Sequence, residues 1–289
     1  MDLPLVLQLL ANGLVAGGQA ALLGAGFGLI FSTTRVFHFA HGTVYMCAAY
    51  VAWILIALLQ LGFVIGVAGS LAAAALVGVL MELGVYRLFR NLGSPPRVFM
   101  LVSLALMILV ENIVVIFFGS QIKTIQVDWI RSTHEVGPVV VTRLQIIAVA
   151  LTAAVLAALV AYLRHTKSGW AMLAMAADPE LAETVGVRPQ RIRSAAFLIG
   201  SLLAGLGGLI QALDSGLTPT MGFNATLLAS VAVIVGGIGS ITGAAFGGLL
   251  IGLLQNMSII WISSAWQSSV AFGLLVVVIL VRPRGLLVR

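Results

Sequence analysis

The sequence predicts an all-α, polytopic membrane protein, and three observations carry that prediction. Of its 289 residues, 61% are hydrophobic and only 8% are charged, whereas a soluble domain carries about 25% charged residues. Apolar runs recur from one end of the chain to the other, several near the ~20 residues that span a hydrocarbon core as a helix. The 32 glycines would weaken soluble helices but are common where membrane helices pack closely.

The spans follow in order. The first runs over about 6–31 and ends in a polar interruption, Ser32 to Gly42, that holds Arg35, His38 and His41. The second and third cover about 43–60 and 63–83, and a loop with Arg87, Arg90, Pro95, Pro96 and Arg97 follows. The fourth, about 98–118, is separated by a polar loop from Gly119 to Arg143 from the fifth, about 144–163. A long connection, 164–193, leads to the sixth, about 194–213, which stops at a Gly/Pro break from Asp214 to Thr220. The remaining apolar stretch, about 222–281, is interrupted at Gly236-Gly237-Ile238-Gly239-Ser240. No cleavable leader is evident. Met1-Asp2-Leu3-Pro4 has no basic region, and the apolar stretch that follows is too long for one.

Charge sets the topology. With the loops 84–97 and 164–193, Arg35 and the tail Arg282, Arg284 and Arg289 in the cytoplasm, 12 of the 15 basic residues lie inside. Lys123, Arg131 and Arg143 remain outside. This is the asymmetry of the positive-inside rule, and it puts the N-terminus outside and the C-terminus in the cytoplasm. Parity then requires three crossings after residue 222, with breaks near Gly237 and Met257, for nine in all. The segment 224–236 is short, so a count by length gives eight.

Small residues recur every fourth position, at Ala16, Ala20, Gly24 and Gly28, at Gly66, Ser70, Ala74 and Gly78, and at Gly200, Ala204 and Gly208. Each set marks a helix face that allows close backbone approach. The chain reads as one transmembrane domain over 1–289. A repeat over about 6–118 and a second over about 194–281, each with a broken helix, flank a linking helix at 144–163 and the cytoplasmic loop 164–193. Entering the membrane from opposite sides, the two halves form an inverted repeat, a transporter arrangement whose broken helices meet near the midplane.

Several functions are excluded. The pI of about 10.2 reflects basic residues scattered over short loops, not a nucleic-acid-binding face. The single Cys47 gives neither a disulfide framework nor a metal cluster. His38 and His41 have no carboxylate or cysteine nearby in sequence, so no metal is expected, and no cofactor. No Gly-x-Ser-x-Gly elbow occurs, so no catalytic residue is assigned. Nor does a Gly-x-x-x-x-Gly-Lys-Ser/Thr phosphate loop occur, since Thr166 stands where a glycine should precede Lys167-Ser168. Any ATP drive must come from another subunit.

The connection 164–193 carries the strongest local signal. Asp178 is a good N-cap, Pro179 suits the first helical position, Glu180 favours the positive end of the dipole, and Gly186 fits the stop. A helix over Pro179–Val185 is predicted, with Leu181, Ala182 and Val185 on one side and Glu180 and Glu183 on the other. So short a helix is marginal in water. It reads either as a loop helix resting on the membrane or as a docking element for a cytoplasmic partner, and the missing ATP site favours docking.

Phe37-His38-Phe39-Ala40-His41-Gly42, followed by Met46 and Ala48-Ala49-Tyr50, resembles the signature of branched-chain amino acid ABC importer permeases, with His38 where that family usually carries Asn. Glu82, Tyr86 and Arg87 resemble its "E…Y-R" loop. Ser168-Gly169-Trp170-Ala171-Met172 with Ala174, Asp178, Pro179, Ala182 and Gly186 resembles its coupling loop. Gly236 to Ser240 with Gly243, Ala244 and Gly247, and the end Arg282-Pro283-Arg284-Gly285-Leu286, complete five motifs in the family's order. The resemblance implies a multi-pass protein of the bacterial inner membrane. It implies pairing with a second similar permease, two ATPases below, and substrate delivery by an extracytoplasmic binding protein. Asp178, Pro179, Glu180, Ala182, Glu183 and Gly186 become the candidate coupling residues.

Polar groups in or beside the spans are candidates for the path, because such groups are costly there and mark routes. They are His38, His41, Thr43, Glu111 and Asn112, with Thr220 and Asn224 from the second half. Glu82 reads as a surface partner for Arg87. The function expected is alternating-access uptake of branched-chain or hydrophobic amino acids, with urea, short amides or sugars as alternative cargo of the same machine. The alternative from another class is an ion-coupled carrier or channel, for which Glu111 is the one deep charge.

Overall fold

The computed structural model describes residues 3–287. The helices are α1 (Leu3–Thr34), α2 (His41–Trp53), α3 (Phe63–Leu80), α4 (Pro96–Phe118), α5 (Arg143–His165), α6 (Lys167–Ala177), α7 (Pro179–Thr184), α8 (Pro189–Asp214), α9 (Met221–Gly236), α10 (Ile241–Ser258) and α11 (Gln267–Val281). Two continue in wider, π-type winding, α2 through Ile54–Leu58 and α3 through Met81–Tyr86 into a last turn, Arg87–Asn91. Eight helical segments among the described residues are long and apolar enough to cross a bilayer. The ninth expected crossing, α9, has 16 residues and at ~1.5 Å per residue reaches about 24 Å, short of the ~30 Å hydrocarbon core.

The centre is built from α1, α8 and α10, with α2, α3 and α9 against them. Most of α1 and α8 is buried, whereas α4, α5 and α11 turn large apolar side chains such as Ile116, Phe117 and Leu280 outward. The four-residue small stripes are the contact faces. Gly66, Ser70, Ala74 and Gly78 are all buried, and Ser70 Oγ donates to Ala48 O at 2.9 Å.

At two close crossings, backbone meets backbone in a reciprocal way. A methyl on Gly26 would run into Gly200 O at 2.7 Å, and one on Gly200 would meet Gly26 O at 2.8 Å. Gly42 and Gly222, in the first turns of α2 and α9, block each other in the same reciprocal way. Only glycine allows such approach. Gly200 also lies against Ile30, and Gly207 against Leu23 and Tyr45, so α1 and α8 run antiparallel. Helix α1 thus crosses α8, and α2 crosses α9.

The basic segments gather at one end. Arg35 Nη2 donates to Ala176 O at 2.6 Å. The C-terminal segment bonds back through Leu286 N to Val235 O at 2.9 Å. A recess of about 590 Å³ holds Arg35, Arg164 and Ser240. At the other end, Lys123 and Leu217 exchange backbone hydrogen bonds of 3.0 and 2.9 Å.

Three local expectations are corrected. The loop 119–143 contains a β-hairpin, β1 (Thr133–Val136) and β2 (Val139–Thr142), closed by Gly137-Pro138 and tied down by Gln8, whose amide exchanges two bonds with Val140. The connection 164–193 holds a second helix, α6, because Thr166 Oγ1 caps it by accepting Gly169 N–H at 2.9 Å. Glu82 is not a surface partner of Arg87. Its side chain is fully buried and pairs with Arg90. The π winding over 81–86 lowers the rotation per residue, which brings residue 90 onto the face of residue 82.

Candidate functional site

The first break, residues 35–40, frees backbone groups inside the bundle, and such groups must find partners where no water competes. Ser103 Oγ accepts the Phe39 N–H at 3.1 Å and lies within donating distance of Phe37 O and Met100 O. Thr226 Oγ1, one turn into α9, lies 3.1 Å from Phe39 O and 3.0 Å from Gly222 O. Thr226 of α9 and Ser103 of α4 therefore both help to hold this break.

His38 and His41 come together in this break, both fully buried. Their ring centroids are 5.9 Å apart, and Phe197 and Phe27 pack edge-on against them at 5.0 and 5.9 Å. His38 Nδ1 and the Tyr86 hydroxyl are 2.7 Å apart. His38 Nε2, both ring nitrogens of His41 and the Thr43 hydroxyl are buried without a partner among the described residues. Burying such a group unpaired costs about 1–3 kcal/mol. Two imidazoles without a carboxylate or thiol do not make a metal site, and no cluster of three potential ligands occurs among the described residues.

From Tyr86 the polar chain continues to the basic end. Glu82 pairs with Arg90, Gln190 Nε2 reaches the same carboxylate oxygen at 3.5 Å, and Arg193 is nearby. In the opposite direction a cleft of about 390 Å³ opens between α1, α2, α8, α9 and α10. Leu23, Tyr45 and Ala225 form its apolar part, and Gln19, Gln211, Asn224 and Gln255 supply neutral amides. An adjoining recess of about 330 Å³ shares Gln19 and Gln211 and runs on to Asp214 and Asn256. Tyr45 follows His41 by one turn of α2, so the histidines lie one turn beyond the cleft.

Of the path candidates, His38, His41 and Thr43 form the buried centre and Asn224 lines the cleft. Thr220 is exposed at the start of α9, its hydroxyl 3.4 Å from that of Thr218. Glu111 and Asn112 stand apart on α4. Asn112 is exposed and donates to Ile108 O at 2.8 Å within its own helix, while Glu111 is half-buried. Sequence reasoning missed the amides of Gln19, Gln211 and Gln255. Their signal was polarity inside long apolar runs, and it was hidden because they sit on three different helices.

The candidate coupling residues form one unit. Asp178 Oδ1 accepts both Glu180 N–H and Leu181 N–H at 3.0 Å, Pro179 opens α7, and the helix ends at Thr184 with Gly186 at φ +90°. Gly186 N–H donates to Glu183 O and Val187 N–H to Ala182 O, closing the C-terminus. Ala182 is buried against Met172 and Met175 of α6 in one cluster. Glu180 and Glu183 face solvent, and so do Leu181 and Val185, at 62% and 74% exposure. The expected sorting of apolar from charged faces is therefore only partial. Ala182 anchors α7, and two larger apolar side chains are left uncovered.

Helices broken at mid-depth around buried polar groups, with an amide-lined cleft leading to them, suit a passage rather than a scaffold. The fold and site are those of a multi-pass membrane permease. The chain belongs to the family described as branched-chain amino acid transport system / permease component, whose model matches residues 9–280. It is 30% identical to the high-affinity branched-chain amino acid transport system permease protein LivH of Escherichia coli K12, over 98% of this chain and 96% of that protein. The corresponding protein BraD of Pseudomonas aeruginosa matches at the same identity and coverage. The xylose transport system permease protein XylH of Haemophilus influenzae is 31% identical, over 45% of this chain and 37% of its own length.

Proposed function

We propose that this chain is the membrane-spanning subunit of an ATP-driven importer of branched-chain amino acids in the bacterial inner membrane. The observation that carries the substrate class is similarity over nearly the full length to LivH and BraD. The sugar alternative rests on less than half the chain. A neutral, amide-lined cleft suits an uncharged or zwitterionic cargo better than an ion. With the basic end in the cytoplasm, the N-terminus lies outside and the cleft opens outward.

In this reading the permease pairs with a second, similar permease. Of two cytoplasmic ATPase subunits, one grips the α7 of each permease, here through Leu181 and Val185, and an extracytoplasmic binding protein delivers the substrate. ATP-driven closure of the ATPases moves α7 and, through α6, the bundle. The path then opens alternately to the two sides. Glu111 on an outer helix, half-buried and away from the histidine centre, gives little support to an ion-coupled carrier.

The test is reconstitution into proteoliposomes together with candidate ATPase and substrate-binding-protein subunits. The expected result is ATP-dependent uptake of labelled leucine, isoleucine and valine. Uptake of leucine without ATP or without the ATPases would refute it.

A further inference from the structure

We infer that the cleft between the two halves of a single protomer is a substrate-holding station, in which Gln19 and Gln211 receive the charged end groups of the amino acid. This deepens the proposed function and rests on it. At about 390 Å³ the cleft falls in the range of small-molecule sites, roughly 300–1,000 Å³. Its chemistry divides in two. Leu23, Tyr45, Met221, Ala225 and Leu228 supply apolar surface, while Gln19, Gln211 and Asn224 supply polar groups beside it.

The amides are free to act. Gln255 Nε2 is engaged with Gln267 O at 3.0 Å and Asn256 Nδ2 with Gly252 O at 3.0 Å. The side chains of Gln19, Gln211 and Asn224 bond to no other described residue. An amide carries both donors and acceptors, so these three can serve a carboxylate and an ammonium at once without a net charge of their own. No Lys or Arg lines the cleft, so a carboxylate is met by neutral donors alone. Asp214, at the mouth through the recess that shares Gln19 and Gln211, supplies the one negative charge and draws the ammonium end inward. The apolar wall takes the aliphatic side chain.

Weak, neutral contacts suit a station on a path, where binding must favour entry yet permit release. The floor, Leu23 and Tyr45, separates the cleft from the histidines one turn deeper. Substrate held there is therefore poised above the buried centre. Every residue that lines the site comes from a single protomer.

The experiment uses the full transporter in proteoliposomes with leucine, together with the variants Gln211→Leu, Gln19→Leu and Gln211→Asn. Losing one hydrogen bond to a charged group corresponds to about a tenfold change. Each leucine variant is expected to raise KM for uptake about tenfold, and the asparagine variant to recover most of it. In a Cys47→Ala background, Gln211→Cys is expected to react with a membrane-impermeant maleimide, and leucine is expected to slow that reaction. Unchanged KM, or labelling that leucine does not slow, overturns the site. Protection by urea or xylose but not by leucine overturns the amino-acid assignment. Wild-type leucine uptake, measured alongside, reports separately on the function itself.

Discussion

Replacing Asp178 and Gly186 by alanine tests whether α7 is a coupling element. Asp178 Oδ1 satisfies two backbone donors, at 3.0 Å each, and losing such a cap costs about 1 kcal/mol. Gly186 sits at φ +90° with nothing within 4 Å of where a Cβ would stand. Its replacement is therefore opposed by backbone conformation alone, about 1 kcal/mol at the low end for an L-residue in that region. The double variant loses ~2 kcal/mol locally, about thirtyfold in the ratio of formed to unformed helix. A six-residue helix has no cooperative reserve against this, while both residues are exposed and the packing of the bundle does not depend on their side chains. Hydrogen exchange of the Glu180 and Leu181 amides in the purified protein should speed up about thirtyfold with no change in thermal midpoint. In the reconstituted complex, transport-coupled ATPase activity and uptake should fall together. Faster exchange with full uptake would refute the coupling role, and unchanged exchange would refute the capping argument beneath it.

Other outcomes follow from the same structure. Leu181→Glu, at a side chain 62% exposed, should abolish uptake without shifting the thermal midpoint, because it removes an apolar contact only a partner would cover. Gly42→Ala drives a methyl into the Gly222 backbone and should destabilise the bundle by about 3 kcal/mol, the upper end for overpacking, seen as a lower midpoint by differential scanning fluorimetry; Gly84→Ala, with open space around it, should not. Glu82→Gln leaves the Arg90 guanidinium without its buried counter-charge and should cost about 3 kcal/mol, read in the same assay.

The long elements were legible because apolar runs bounded by Pro, Gly and Arg leave little choice, and α7 because Asp178-Pro179 and Gly186 are local signals for its two ends. The short α9 was legible too, from the glycines at 236–239 and the parity of charge. What escaped depends on contacts distant in sequence. The Arg90 partner of Glu82 was hidden by the change of winding at 81–86. The α6 helix was hidden because its cap, Thr166, looked like part of a loop. The hairpin could have been read from Val136-Gly137-Pro138-Val139 and the β-branched run after it. The cleft was the least legible, since Gln19, Gln211, Asn224 and Gln255 come from four helices and converge only when the two halves cross. The pairing of His38 with Tyr86 across 48 residues belongs to the same class.

The reciprocal contact of Gly26 with Gly200 has a mechanical meaning. With carbonyl set against α-carbon on both sides, little there can absorb a displacement beyond the Ile30 side chain and the His41 ring alongside. Helices α1 and α8 cannot be pushed together there, so a rotation of one against the other would use the contact as a fulcrum. The cleft lies on one arm of this lever, and Glu82, Arg193 and the loop that carries α7 lie on the other. A small rotation driven at the basic end would then reappear, reversed in sense, as widening or narrowing of the space around Gln19 and Gln211.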